Sequence, residues 1–76
     1  MNFIGYIMKT FTAVLQKEDN MYIAKCPEVG TVSQGYSIEE AIENLKESTQ
    51  LYIEEFPLQK VSKPILTTFE VEEMNA

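Results

Sequence analysis

The stretch from Ser37 to Phe56 most constrains what this chain can fold into. Its apolar residues Ile38, Ala41, Ile42, Leu45, Tyr52, Ile53 and Phe56 recur at steps of three and four, with Thr49 standing in at one polar step. That is the period of one helix face. Ser37 can accept from the backbone of the first turn, and Glu40 three places on can reach back to complete a capping box. Pro57 marks the end. The other face carries Glu39, Glu43, Lys46, Glu47, Glu54 and Glu55, so one side needs a partner surface and the other needs water. Burial of the larger apolar side chains falls short of the entropy lost in ordering the helix backbone. The rest of the chain must therefore supply an apolar sheet.

Strand patterns occur on both sides of the helix. From Lys9 to Lys17, Phe11, Ala13 and Leu15 alternate with Thr10, Thr12, Val14 and Gln16, and the β-branched and aromatic content favours a strand. Glu18-Asp19-Asn20 forms a polar turn, and Met21 to Cys26 reads as a second strand. Tyr22, Ala24 and Cys26 lie on one of its faces and Met21, Ile23 and Lys25 on the other, so the two strands make a hairpin. Pro27 cannot donate to a ladder and closes the second strand. A third strand spans about Thr31 to Gly35, and Gly35 points to a backbone turn that a Cβ would hinder. After the loop Pro57 to Pro64, Ile65, Thr67, Phe69 and Val71 alternate again as a fourth strand. The expected fold is α+β with the order β-β-β-α-β, one helix packed on a small, largely antiparallel sheet. Residues 1–76 form a single domain, in which 1–8 are either an extension of the first strand or a start-codon artefact, and 72–76 are a frayed tail.

A chain of 76 residues buries a smaller share of its surface than a larger domain does, so association is a natural way to complete the core. A homodimer or higher homo-oligomer is expected. No apolar run approaches the ~20 residues that span a bilayer, and the first residues lack the marks of a signal peptide. One cysteine, Cys26, cannot form an internal disulfide. Together these imply a cytoplasmic protein. Twelve acidic residues face six Lys, with no Arg and no His, and the net charge of -6 repels a phosphate backbone. Direct nucleic-acid binding by this chain alone is not expected; the charge either serves solubility or suits a basic protein partner.

The inventory for catalysis is thin. Without His, the commonest general base and zinc ligand is missing. Cys26 in an alternating strand reads as an inert core thiol. The single Asp sits in a turn and the Glu residues follow mostly a solvated helix face, so a two-metal nuclease site is not expected. Gly30 and Gly35 lack the company of a phosphate cradle. The aromatic residues lack a basic groove and read as core or interface groups. The residues alone lead to a noncatalytic binding module, with no cofactor and no metal.

One segment carries the reading further. Tyr22-Ile-Ala-Lys-Cys-Pro-Glu-Val-Gly-Thr-Val-Ser-Gln-Gly-Tyr-Ser-Ile-Glu-Glu-Ala41, followed by Asn44-Leu-Lys-Glu47 and Leu51-Tyr-Ile-Glu54, strongly resembles the HicB-like antitoxin family, in its short, single-domain branch. The likeness extends from about Met8 to Glu55 and includes a Cys-Pro-Glu turn and a Gly-x-Ser-x-Glu-Glu-Ala helix opening. It implies a partial ribonuclease-H-like fold without nuclease carboxylates. It also implies neutralisation of a small, basic HicA-type mRNA interferase toxin by direct binding and occlusion. Many relatives carry a C-terminal DNA-binding segment, for which this sequence has no room after Val71. Tyr22, Lys25, Glu28 and Tyr36, on the hairpin and the turn into the helix, are the candidate partner-binding residues. The alternative is a solitary homo-oligomeric module, regulatory or scaffolding, without a toxin partner.

Overall fold

The computed structural model describes residues 8–58 and 60–74. Three strands, β1 (Val14–Glu18), β2 (Met21–Cys26) and β3 (Thr31–Gly35), precede one helix, α1 (Ile38–Glu55). They form an antiparallel sheet in the order β1-β2-β3 with α1 on one face, an α+β arrangement. Its register pairs Leu15 with Ala24 and Ala24 with Ser33, so these residues share the helix-facing side. Val14, Lys25 and Val32 form a row on the opposite side.

The turns follow from local chemistry. Asp19 takes a left-handed φ of 55° in the two-residue connection between Glu18 and Met21, a conformation that Asp tolerates better than most residues. Between β2 and β3, the N–H groups of Val29 and Gly30 both donate to the Cys26 carbonyl, at 3.3 and 2.7 Å, and Gly30 has a φ of 94°. Gly35 is needed for space. A Cβ built there would lie 2.5 Å from the Ala41 nitrogen and 2.9 Å from the Glu40 carbonyl carbon. The first turn of α1 thus sits directly against the end of β3.

Ser37 caps the helix, its Oγ accepting from the Glu40 N–H at 3.0 Å. The return bond differs by one residue from the expected box: Glu40 Oε1 accepts from the Tyr36 N–H, at 2.6 Å. Pro57 follows the last turn, where the Phe56 N–H donates to the Tyr52 carbonyl.

α1 lies chiefly over β3 and less over β2. Small polar pairs join it to β3: Thr31 Oγ1 to Thr49 Oγ1 at 2.7 Å, Ser33 Oγ to Ser48 Oγ at 2.8 Å, and the Asn44 amide donating to the Gln34 carbonyl at 2.8 Å. Between the layers the buried apolar residues are Ala24, Cys26, Ala41 and Leu45, flanked by partly buried Phe11, Leu15, Tyr22 and Val29. The buried line on the helix is Ala41, Leu45 and Thr49. Ile38, Ile42, Tyr52 and Phe56 from the same apolar stripe remain between 39% and 58% exposed.

Two expectations are corrected. The first strand starts at Val14 rather than Lys9. In the β1-β2 register Thr12 would face Pro27, which has no N–H to offer, and the Thr12 N–H donates to the Glu28 carboxylate instead. The fourth strand does not pair with this sheet. Residues 60–74 run without a turn or bend, and Ile65, Leu66, Phe69 and Val71 are 69–92% exposed. Alternation records two faces but cannot choose an edge, and here Pro64 carries the chain outward. The longest dimension is accordingly 71 Å, against 27 and 17 Å for the others. The stretch 1–7 lies outside the described residues, as do 75 and 76 of the expected tail.

Gly35→Ala should lower stability by about 1–3 kcal/mol, because the methyl group meets helix backbone that cannot rotate away. Urea denaturation followed by circular dichroism checks this. An unchanged midpoint would contradict the close approach.

Candidate partner-binding site

The Cys-Pro-Glu turn draws three separate parts of the chain to one carboxylate. β2 ends at Cys26 because Pro27 stops the ladder, and Glu28 then turns its side chain back beneath the turn. Glu28 Oε1 and Oε2 accept from the Thr12 N–H at 3.0 and 3.1 Å, and Oε2 also accepts from the Thr12 hydroxyl at 2.8 Å. The Cys26 thiol donates to Oε1 at 3.6 Å. Lys63, from the segment after the helix, brings its Nζ to 3.6 Å from Oε2 and donates to the Thr10 carbonyl. The Glu28 side chain is fully shielded, whereas that of Lys63 is 62% exposed.

Burial by itself pushes the Glu28 carboxyl up. The Thr12 N–H, the Thr12 hydroxyl, its own backbone N–H and the Cys26 thiol outweigh that effect and hold it down at about 2, from an ordinary 4.5. The site therefore holds a charged carboxylate whose lone pairs are already taken. That arrangement staples Thr10–Thr12 and Lys63 to the β2-β3 turn, and leaves Glu28 nothing to offer a partner.

The other candidate residues are dispersed. Tyr22 is half-buried on the helix-facing side, with the Lys17 Nζ 5.8 Å from its ring centroid. Lys25 is exposed on the opposite face of the sheet. Tyr36 projects from the turn into α1 and is 70% exposed. The four residues thus do not form one patch; Lys25 and Tyr36 are the two open to contact. Cys26 is buried at 1% exposure, as a core thiol should be. Among the described residues no group of three or more Cys, Asp or Glu could hold a metal ion, and no helix is long and apolar enough to cross a membrane.

Two further surface features stand out, the first as the helix period places it and the second visible only in the fold. The outer side of α1 presents Glu39, Glu43, Glu47, Glu54 and Glu55 to solvent together with Lys46. Beside the helix, next to the residues that lead into β1, runs an open groove of about 500 Å³ lined by Phe11, Ala13, Ile42, Leu45, Ile53 and Leu58, with Lys9 and Lys46 at its margin. The helix periodicity named half of this wall. The rest comes from Leu58 just past the helix and from Phe11 and Ala13 far ahead of it, which no local pattern connects.

No family model matches the chain, and no solved structure does. It is 50% identical over 42 residues to a UPF0150 protein of Helicobacter pylori (strain J99), covering 54% of this chain and 58% of the relative. It is likewise 50% identical over 46 residues to a UPF0150 protein of Synechocystis (strain PCC 6803), covering 58% of each. The chain thus spans less than two thirds of the length of the curated relatives it matches. Neither name specifies an activity, a ligand or a partner.

Glu28→Gln keeps the shape and removes the charge. The loss expected is about 1.5–3 kcal/mol at neutral pH, the usual worth of hydrogen bonds to a charged group. Because the folded carboxyl titrates near 2 and the unfolded one near 4.5, its stabilisation is complete above pH 4.5 and is lost as pH falls from there toward 2. Stability against pH, measured by denaturant titration, should accordingly fall less steeply over that window in the variant. Parallel curves for the two proteins would refute the staple.

Proposed function

We propose that this chain is a noncatalytic binding module of the HicB-like kind, an antitoxin that neutralises a basic, HicA-type mRNA interferase by direct contact and occlusion. The observation that carries the reading is the acidic outer side of α1, five exposed Glu with one Lys, on a chain of net charge -6. A surface of that sign speeds encounter with a basic protein and sets its orientation, while apolar contacts supply most of the affinity. The resemblance over Tyr22 to Ala41 points the same way, and its Cys-Pro-Glu and Gly-x-Ser elements do structural work here as staple and cap. Exposed Tyr36 beside the helix start supplies an aromatic anchor next to this charge, and Lys25 belongs to the opposite sheet face. The proposed module is cytoplasmic, and a partial ribonuclease-H-like ancestry would account for its strand order.

A second reading, a solitary homo-oligomeric regulatory or scaffolding domain, is favoured by one observation, the exposed apolar residues of Ile65–Val71. The neighbouring reading frame separates the two, because an antitoxin requires a short basic protein beside it. Co-expressed with that protein, the chain should co-purify at fixed stoichiometry and abolish its mRNA cleavage. Replacing Glu39, Glu43 and Glu47 together by Lys should slow association about 10-fold or more at low salt, with a smaller effect at high salt. Stopped-flow or surface-plasmon kinetics would measure this. A basic neighbour that neither binds the chain nor is inhibited by it would sink the antitoxin reading.

A further inference from the structure

The groove and the unpaired segment fit each other. α1 rests over β3 and β2, and the residues that lead into β1 lie beside an open trough lined by Phe11, Ala13, Ile42 and Ile53. A strand laid along the free edge of β1 and of Phe11–Ala13 just before it would turn every second side chain toward that trough. Ile65–Val71 has the required pattern, with Ile65, Thr67, Phe69 and Val71 on one side and Leu66, Thr68 and Glu70 on the other. In its own chain the segment leaves the body after Pro64 and stands open to solvent. The residue before a proline is held in extended conformations. Lys63, just there, is also anchored to Thr10 and Glu28, so the arm departs from a fixed point beside the residues that lead into β1.

We infer that Ile65–Val71 is an exchanged arm, which adds as a strand to the free β1 edge of a second copy of this chain and fills the groove there with Ile65, Phe69 and Val71. A reciprocal exchange closes a two-fold dimer, with each arm serving the other subunit. Charge permits this despite a net charge of -6 on each chain. Pro64 to Phe69 is uncharged, the β1 strand carries one Lys and one Glu, and Lys9 and Lys46 at the groove margin oppose Glu70. The arrangement also explains how so small a buried core is sufficient, since the partner's arm would cover Phe11, Ile42 and Ile53. It concerns the chain by itself and holds whether or not a toxin is the partner.

The test uses the full chain. Light scattering should give twice the 8.7 kDa chain mass, or an even multiple of it. In a sample mixed from isotope-labelled and unlabelled chains, filtered nuclear Overhauser spectra should show intermolecular contacts from Phe69 and Ile65 to Phe11, Ile42 or Ile53. A double variant, Ile65→Asp with Phe69→Asp, should shift the mass to that of one chain. A monomer mass for the unaltered chain would overturn the proposal. So would an oligomer whose intermolecular contacts avoid the groove, or groove contacts made only within one chain. The spectra need no variant, so a double variant that fails to fold leaves the proposal open to refutation.

Discussion

The close approach of α1 to the end of β3 sets the rest of the structure. With no side chain at Gly35, the first helical turn comes down onto the strand, and the helix continues along β3 rather than across the middle of the sheet. That separation favours small residues, and apart from Leu45 the layer between them is made of Ala24, Cys26, Ala41, Thr31, Thr49, Ser33 and Ser48. Hydroxyl pairs satisfy the polar groups that such packing encloses. The cost of the position is that the wider, greasier half of the helix stripe has no sheet beneath it.

The Cys-Pro-Glu turn compensates on the other side. Where Pro27 interrupts the ladder, a carboxylate takes over as acceptor and collects Thr12, so the residues before β1 remain attached without being a strand. Lys63 joins the same cluster from beyond the helix and brings the chain after Pro57 back to Thr10, ahead of β1. One ionised side chain thus fixes the Thr10–Thr12 wall of the groove and the point from which the segment after Pro64 departs. Burial without these donors would push the carboxyl up; the donors reverse the sign.

These two constraints separate structural from interaction surfaces. Glu28 and Tyr22 are spent within the fold, while the outer side of α1, Tyr36 and Lys25 remain free for other molecules. The charged helix face and the apolar groove lie on different sides of the same element, because 3.6 residues per turn place Glu39, Glu43 and Glu47 away from Ile42, Leu45 and Ile53. A partner attracted by charge and a second copy held by apolar contact need not compete for the same residues.

The sequence by itself determined the elements whose causes are local: the cap at Ser37, the helix period, the β2 alternation stopped by Pro27, and the need for glycine at position 35. It also determined the charge of the outer helix face. Only the tertiary structure decided that the helix favours β3, that Glu28 serves Thr12 sixteen residues away, and that Ile65–Val71 leaves the sheet. The reason is physical. Caps, periods and turn preferences act within a few residues, whereas the choice of edge and the placing of a buried charge depend on groups that only folding brings together.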